Sequence, residues 1–492
     1  VYGLLGLAAA AAGGWLPARA AERLPLAQAL KGLGMAPAPG HRRLASLAML
    51  LLAGLLALLP PVMGIPLAAY ASVGLLLVGG ITALPWLVGR VYDRLAPLLA
   101  QRLLPMLAVE RARRVRESAA VAVSGVVAAL SLAVALTVMV ASFRTSVSQW
   151  LDVVLPADLY LRTAGSAAAA DAAFLSQDLV RAAAGAPGVA RVATQRLRML
   201  QLDPALPPVA LLVRRIDDPA AALPLVGAAL APPAGSVPVY VSEAMADLYG
   251  ARPGRELPAL AAAFAPEGDS PRFFVAGVWR DYVRQSGAVL IDQRDYERLT
   301  GDRRVNDLQL WLAPGADAAQ VQQAVRDLAR RSGIAEGLLE FASAVEIRAT
   351  SLRIFDRSFA VTYWLQAVAI GIGLFGVAAS FGAQVLARRK EFGLLAHLGL
   401  TRRQILAVVA GEGAAWTLIG AAAGLALGLA VALVLVHVVN PQSFHWTMDL
   451  QVPWLRLLAL CAALVGAGMA TAWVAGRAAA GRDAVLAVRE DW

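Results

Sequence analysis

Six apolar runs, each long enough to cross a lipid bilayer as a helix, dominate the sequence. A helical crossing of a hydrocarbon core about 30 Å thick needs about 20 apolar residues. The long runs lie at 44–63, 66–88, 118–142, 359–384, 408–438 and 454–476, and a shorter run covers 1–16. The chain is 59 % apolar and 16 % charged, which excludes an ordinary soluble enzyme. The sequence therefore predicts a polytopic α-helical membrane protein with about seven crossings.

Basic residues are distributed unevenly between the segments that join these runs, and this distribution sets the orientation. Lys and Arg accumulate in short loops on the cytoplasmic side of a membrane. The segments rich in Lys and Arg are 17–43, 89–117, 385–407 and the C-terminal tail, whereas the loops 64–65 and 439–453 contain neither. We therefore predict a multi-pass protein of the bacterial plasma (inner) membrane, with a large insert at 143–358 on the outer side.

The cytoplasmic segment 89–117 ends in a stretch where apolar and basic residues recur at helical spacing. Its arginines just before the crossing at 118–142 are Arg111, Arg113, Arg114 and Arg116. We interpret this stretch as an interfacial helix that contacts anionic membrane lipids, and a solvated cytoplasmic helix is the alternative. The insert at 143–358 has almost no net charge, so nothing in it indicates nucleic-acid binding.

The insert at 143–358 has the pattern of an α+β domain. Short alternating or β-rich runs, each bounded by Gly, Pro or Asp, predict strands. The predicted strands cover 158–162, 192–202, 209–216, 237–241, 273–278, 288–291 and 308–312. Helices are predicted after Ser242 and over 317–331. A polar helical pattern at 342–358 continues into the next crossing without Gly or Pro, so we expect a rigid stalk there.

Two segments near opposite ends of the chain resemble each other. The segment that starts at Trp15 aligns without gaps with the one that starts at Trp473, and both follow the inner end of a crossing. Duplicated membrane modules are common in transporters, so 1–32 is predicted to end a first copy. No basic segment precedes the first apolar run at Val1, so we expect a chain that begins inside a longer protein rather than a signal peptide.

The cytoplasmic segment 388–404 has charged ends and an apolar centre. The residues that recur at the spacing of one helical face are Glu391, Leu394, Leu395 and Leu398. Gly399 is predicted to end this helix, and Thr401 with Gln404 matches a capping box that starts the next one. We expect a short helix on the inner membrane surface with an apolar face for a partner. A re-entrant packing turn is the alternative.

Several residues within the crossings are candidates for particular roles. Glycines recur every fourth residue at Gly420, Gly424 and Gly428, which predicts a flat face for helix packing rather than a ligand site. Glu412 is an intramembrane polar residue for which a structural or docking role is favoured over proton relay. His437 and His445 make only a weak metal pair, and no metal site is predicted.

The residues at 388–404 also carry a family resemblance. Arg-Arg-Lys-Glu-Phe-Gly-Leu-Leu followed by Leu-Gly-Leu-Thr-Arg-Arg-Gln resembles the FtsX-like permeases of ABC transporters, of the MacB and lipoprotein-releasing type. The stretch from Arg144 to Arg162, which ends in Pro-Ala-Asp-Leu-Tyr-Leu-Arg, is similar to the start of the MacB-like extracytoplasmic domain. In that family the loop is a coupling helix that docks on a separate ATPase. The resemblance assigns this role to Arg388, Arg389, Lys390, Glu391, Phe392, Leu394, Leu395, Leu398, Gly399, Thr401, Arg402, Arg403 and Gln404.

The resemblance also implies how the chain is divided. It looks most like a ten-crossing subgroup in which one polypeptide carries two modules, with most of the first module missing here. The implied parts are the end of a first module at 1–32, two linking crossings at 44–88, an interfacial segment at 89–117, the first crossing of a second module at 118–142, an extracytoplasmic α+β domain with its stalk at 143–358, and a permease domain with three crossings at 359–492.

The two lysines of the chain exclude an ATPase site of its own. A Walker A loop needs Gly-Lys-Ser/Thr, but Lys31 follows Leu30 and Lys390 follows Arg389. We therefore expect no enzyme and no cofactor in this chain. The family resemblance implies ATP with Mg²⁺ on a cytoplasmic ABC ATPase partner, and export or extraction of a lipid, lipoprotein or other hydrophobic cargo.

Two other functions are open at the level of sequence. The same motion would serve a signalling module that regulates an extracytoplasmic hydrolase or senses a ligand, with an extracytoplasmic protein as partner. A membrane-bound enzyme would need a convergent polar pocket within 143–358, and the sequence displays no catalytic motif for one.

Overall fold

A bundle of long apolar helices with one inserted α+β domain makes up the fold, as a computed structural model shows it. The residues that the structure describes are 39–62, 64–99, 116–163, 174–264, 271–331, 339–387, 391–392, 394 and 398–479, with isolated residues 3, 6–8, 11, 14–15, 18–19, 22 and 106. The predicted crossing at 1–16 and Arg111, Arg113 and Arg114 therefore lie largely or wholly outside the described residues and stay predictions.

Helices and strands alternate through the insert, and the described elements on either side of it are helices. The helices are α1 Pro39–Ala57, α2 Leu67–Leu99, α3 Arg116–Val154, α4 Gln177–Ala184, α5 Pro219–Ala222, α6 Glu243–Leu248, α7 Pro258–Phe264, α8 Gln293–Thr300, α9 Ala318–Arg331, α10 Ala344–Ala387, α11 Arg402–Val434, α12 Asn440–Phe444 and α13 Trp454–Ala479. The strands are β1 Leu159–Thr163, β2 Val189–Leu200, β3 Val209–Arg214, β4 Leu225–Val226, β5 Val237–Ser242, β6 Phe273–Trp279, β7 Ala288–Asp292, β8 Asp307–Leu312 and β9 Leu339–Ser343.

Five described helices are long and apolar enough to cross a membrane. They are the spans Leu67–Val91, Val123–Val154, Ala344–Gly376, Arg402–Phe444 and Trp454–Arg477. The predicted crossing at 44–63 is shorter in the structure, because α1 ends at Ala57 just before Pro60 and Pro61, and Pro and the residue before it are unfavourable in a helix. The prediction of a polytopic helical membrane protein with an α+β domain is confirmed.

Helix α3 lies at the centre of the bundle, packed against α10 and α11. The three glycines at spacing four on α11 face it: a Cβ at Gly424 would lie 3.1 Å from Leu130, and one at Gly428 would lie 2.7 Å from the Ser131 carbonyl oxygen. Such short distances mean that the two backbones approach as closely as small residues allow. A hydrogen bond of 2.8 Å from Gln366 to Thr137 joins α10 to α3 within the bundle.

The insert folds around a nine-stranded mixed sheet in the order β4-β6-β5-β7-β3-β2-β8-β1-β9. All seven predicted strands are confirmed within two or three residues of their predicted ends. Strands β4 and β9 were not predicted, and β9 moves the start of the stalk from 342 to Ala344. Helix α6 begins at the predicted Ser242 cap, whose hydroxyl accepts a hydrogen bond from the Met245 amide.

The chain enters and leaves the insert through two neighbouring strands. Helix α3 leads into β1 and β9 leads into α10, and β1 pairs antiparallel with β9 from Leu159 opposite Ser343 to Thr163 opposite Leu339. Near the sheet an ion pair joins Arg348 of α10 to Asp152 of α3. A second pair, between Arg144 and Asp356, follows at 3.4 Å. The outer parts of the two helices are therefore linked by ion pairs as well as by the strands.

The glycine face of α11 yields a stability prediction. Gly428→Val places a branched side chain against the Ser131 carbonyl, so we expect overpacking to lower stability by about 1–3 kcal/mol. The midpoint of thermal unfolding of the detergent-solubilised protein should fall. Gly411→Val is the matched control, because a Cβ at Gly411 meets nothing within 4 Å. Equal midpoints for the two variants would contradict close packing of α11 on α3.

Candidate functional site

The inner end of α11 begins with a complete capping box. The Gln404 amide donates to the Thr401 hydroxyl at 3.4 Å, and the Thr401 amide donates to the Gln404 side-chain oxygen at 2.8 Å. Gly399 precedes it with φ of +95°, a conformation that L side chains rarely adopt. The local sequence therefore sets a sharp turn between the segment before Gly399 and the start of α11.

Two leucines of this segment present their side chains at the surface. Leu394 is 61 % exposed and Leu398 is 70 % exposed, and the Leu398 amide donates to the Leu394 carbonyl at 3.0 Å, as in one helical turn. Phe392 differs from the expectation of a partner contact, because it is 2 % exposed and belongs to the apolar core of the bundle. Phe392 therefore fixes the segment to the bundle, while the two leucines are accessible.

Charged side chains are also exposed on the described part of the segment and at the start of α11. Glu391, Arg402 and Arg403 are exposed. Arg402 also donates to the carbonyl of Arg477 at 3.2 Å and so ties the start of α11 to the inner end of α13. Of the remaining predicted coupling residues, Arg388, Arg389, Lys390 and Leu395 lie outside the described residues. The described part of the segment and the start of α11 thus expose both apolar and charged side chains.

The other predicted residues lie in the bundle or at its edge. Glu412, two turns or more beyond Arg403 on α11, is 4 % exposed. Arg116 is the first residue of α3. Among the described residues no group of three or more potential metal-ligating side chains is close enough to hold a metal ion. His445 instead contacts the carboxylate of Asp247 in the insert.

A second polar site, at the outer end of the bundle, was not predicted from the sequence. The loop 445–453 between α12 and α13 contacts the insert through a bidentate ion pair. Arg280 donates two hydrogen bonds to the carboxylate of Asp449, at 2.7 and 3.0 Å. The hydrogen bonds from Arg280 hold the pKa of Asp449 below its usual value. Trp150 at the outer part of α3 donates to the Arg280 carbonyl at 2.9 Å. We call these contacts and those of the next paragraph the outer junction.

Further contacts of the outer junction combine polar and aromatic groups. Glu243 accepts hydrogen bonds from the amide and the hydroxyl of Thr447 at 2.9 and 2.5 Å, and burial raises the pKa of this carboxyl. Tyr282 donates to the Thr447 carbonyl at 3.1 Å, and its ring meets Trp446 edge-on at 4.8 Å. Phe143 of α3 lies 5.2 Å from Trp446. The loop is thus held by both the insert and α3.

The sequence carries a weak signal for the outer junction. Residues 445–453 include His445, Trp446, Thr447 and Asp449 within a loop of nine residues, a polar and aromatic composition for a connection between two spans. Their partners Arg280 and Glu243 are about 170 and 200 positions away, so periodicity and local motifs do not identify them. The contacts of the outer junction can be recognised only once the fold brings the insert next to the bundle.

Comparison with known proteins identifies the family. Residues 365–484 match the FtsX-like permease C-terminal family, a range that includes the exposed leucine turn and the last two spans. An uncharacterized ABC transporter permease protein of Mycobacterium tuberculosis is 29 % identical over 418 residues, which cover 80 % of this chain and 46 % of that relative. The C-terminal region at 365–484 therefore belongs to the FtsX-like permease family, and the chain as a whole is similar to an ABC transporter permease. It spans about half the length of this curated relative.

Solved structures of extracytoplasmic domains are similar to part of the chain. The periplasmic region of MacB from Actinobacillus actinomycetemcomitans is 12 % identical and matches over 41 % of this chain and 94 % of its own, with a TM-score of 0.29. The extracellular domain of the transporter YknZ from Gram-positive bacteria is 12 % identical over 38 % of this chain and 98 % of its own, with a TM-score of 0.26. With its family and its spans, the permease is a multi-pass inner-membrane protein with an extracytoplasmic α+β domain.

The outer junction yields a prediction for local dynamics. Asp449→Asn removes the charge that Arg280 pairs with, and partly exposed ion pairs contribute about 1 kcal/mol or less. We therefore expect amide hydrogen exchange in 445–453 to accelerate by up to about fivefold, measured by mass spectrometry on the solubilised permease. Asp327→Asn is the control, because Asp327 forms an exposed ion pair on α9. Unchanged exchange in 445–453 would show that the Arg280 pair does not hold the loop.

Proposed function

We propose that the permease converts ATP hydrolysis by a separate cytoplasmic ABC ATPase into motion of its extracytoplasmic domain. The observation that carries the proposal is the exposed pair Leu394 and Leu398, held at the inner surface between the buried Phe392 and the capping box at Thr401. Exposed leucines in a rigid turn, with exposed charged residues on the same segment, are suited to bind a groove of another protein. The family membership supports an ATPase as the occupant of this surface.

The continuity of α10 supplies a path for the motion. This helix runs for 44 residues from Ala344, next to the sheet, to Ala387, next to the inner segment. At about 1.5 Å per residue it is about 66 Å long, which exceeds the bilayer core by a factor of about two. Because α10 is one continuous helix without proline, movement of its inner end displaces the β1–β9 pair at its outer end.

Two attachments connect the membrane helices to the sheet. Helices α3 and α10 are joined to it covalently through β1 and β9, whereas the loop 445–453 is joined by the non-covalent outer junction. The loop connects α11, which begins at the inner segment, to α13. We infer that rotation of α11 changes the outer junction, so that two routes carry the motion outward.

The bundle also contains a site suited to a hydrophobic cargo. An apolar cavity of 460 Å³ lies between α3, α10 and α13 and is lined by side chains such as Leu130, Leu374 and Leu464. Arg456, an exposed cation at the outer end of α13, lines the same cavity. Acyl chains fit apolar walls and an acidic head group fits the arginine, so we propose a lipid, a lipoprotein or another amphiphile as cargo.

The leucine pair gives a direct test of ATPase binding. Replacing Leu394 and Leu398 together with Asp places two carboxylates in an apolar contact, so co-purification of the ATPase with the permease should fall at least tenfold. Leu230→Asp in the extracytoplasmic domain is the matched control, since Leu230 is also exposed but lies across the membrane from the ATPase. ATPase recovery equal to that of the unmodified permease would exclude this segment as the coupling site.

The stalk gives a test of transmission that leaves the ATPase contact intact. Ile354 is exposed on the outer part of α10, and proline there breaks the helix at a cost of about 3 kcal/mol. In proteoliposomes that contain the permease and its ATPase, Ile354→Pro should keep ATP turnover and lose movement of a fluorescent lipid, whereas Ile354→Ala should keep both. Transport by the proline variant at the control rate would contradict a rigid stalk.

The same assay separates transport from signalling. A transporter moves labelled lipid between leaflets or out of the vesicle in proportion to ATP hydrolysed. A module that only activates an extracytoplasmic hydrolase hydrolyses ATP without net movement of lipid. ATP turnover without lipid movement in the unmodified permease would therefore replace transport with signalling as the proposed function.

A further inference from the structure

A cavity at the base of the extracytoplasmic domain lies next to the outer junction and is lined by residues that form no part of it. Its volume is 280 Å³, and one face of the sheet forms its floor through β1, β2, β3 and β8. Val154 and Leu155 at the end of α3 and Ile347 in the first turn of α10 line it as well. The cavity therefore lies where α3 and α10 meet the sheet.

A row of polar side chains crosses the floor of this cavity. In the sheet register Arg162 lies opposite Asp307, Asp307 opposite Gln195, and Gln195 opposite Arg214. Directly opposed residues of neighbouring strands share one face, so all four side chains border the cavity. Arg162 donates to one oxygen of Asp307 at 3.1 Å and Gln195 to the other at 3.4 Å. Both oxygens of this carboxylate are therefore already bonded by groups other than Arg214.

Among the residues that the structure describes, no carboxylate forms an ion pair with Arg214, at the end of the row. Its Nη2 donates to the Ala222 carbonyl at 2.8 Å, and its Nε is buried with no partner within the described part of the chain. Burial lowers the pKa of this guanidinium, and so does the nearby Arg284, whose own partner is Asp281 at 2.9 Å. A buried charge is costly unless an opposite charge or hydrogen bonds compensate it, so the bare cavity is incomplete at this point.

Apolar side chains form one part of the wall next to Arg214, beside polar lining residues that include Tyr160, Arg284 and Glu340. Leu212 precedes it by two residues on the same face of β3, and Leu290 lies opposite Leu212 on β7. Both leucines are almost fully buried and line the cavity, as does Trp279. A volume of 280 Å³ corresponds to about nine water molecules at about 30 Å³ each. The cavity thus combines polar lining residues, Arg214 among them, with an apolar wall of Leu212, Leu290 and Trp279 in a space for a small molecule.

We propose that this cavity binds a small amphiphile in which a carboxylate or phosphate group sits on a short apolar body, with Arg214 as the counter-ion of the anionic group. A planar guanidinium binds carboxylate and phosphate oxygens in a two-pronged geometry, and the buried Nε is one such donor. The body of the ligand packs on Leu212 and Leu290. A bound ligand touches α3, α10 and the sheet at once, so it stiffens the base of the stalk.

Titration calorimetry on the full chain in lipid nanodiscs tests the proposal, with empty nanodiscs as the blank. The probes are hexanoate, hexyl phosphate, inorganic phosphate and the neutral hexanamide. We expect saturable binding of hexanoate or of hexyl phosphate, and the tighter of the two identifies the head group. Hexanamide should bind at least tenfold more weakly because it brings no charge to Arg214. Inorganic phosphate should also be at least tenfold weaker, because it leaves the apolar walls empty.

Variants connect the binding to the residues. Arg214→Gln should weaken the tighter probe at least tenfold, and Arg252→Gln, at an exposed arginine elsewhere in the domain, should not change it. If Arg214→Gln fails to fold, Arg162→Gln replaces it, since its side chain is 61 % exposed and its loss leaves the negative Asp307 free to repel an anion. Weaker binding in either variant supports the proposal.

Three results would overturn the proposal. One is no saturable binding of either hexanoate or hexyl phosphate. Another is equal affinity for hexanoate and hexanamide, or equal affinity in the unmodified and arginine variants, since Arg214 would then not act as counter-ion. The third is inorganic phosphate binding as tightly as the amphiphiles, since the apolar walls would then contribute nothing. All three are independent of ATPase binding and of transport.

Discussion

A peptide group in hydrocarbon has no water to bond to, and this constraint determines most of the permease. Each span must satisfy its backbone within itself, and only a helix does so in a single segment. In α3 and α10 the helix does not stop at the lipid surface but continues until it joins the sheet. Two ion pairs and the β1–β9 pairing keep the outer parts of these helices together. The need to satisfy backbone hydrogen bonds within a helix thus accounts for the spans, and the same helices also form the connection to the outer domain.

Elements that depend on local pattern were predictable from the sequence. The spans follow from apolar length, and the buried strands follow from short β-rich runs between turn residues. Strand β9 was missed because Leu339–Ser343 is a five-residue edge strand with a glutamate, so it lacks the apolar alternation of the central strands. The end of α1 was predicted too late because the apolar run continues past Ala57, although the two prolines that follow cannot extend the helix.

The same distinction applies to the sites. The capping box at Thr401 and the turn at Gly399 are encoded within a few residues, and the sequence predicts them. Phe392 was assigned to the partner surface, but its place in the bundle core depends on neighbours from other helices. The outer junction and the polar row ending at Arg214 depend on residues that are distant in sequence. Sequence periodicity does not contain such pairings, because the fold alone brings them together.

The pairing of β1 with β9 has a consequence for how permeases of this family diversify. Because the polypeptide departs from the bilayer and returns to it at adjoining points, the extracytoplasmic portion is topologically an interruption of a helical hairpin. An inserted domain whose two ends are neighbours can be replaced by another such domain, because the two helices require only that the short distance between their ends is bridged. The same set of transmembrane helices is thereby compatible with outer domains of different shapes, each attached through a pair of neighbouring strands.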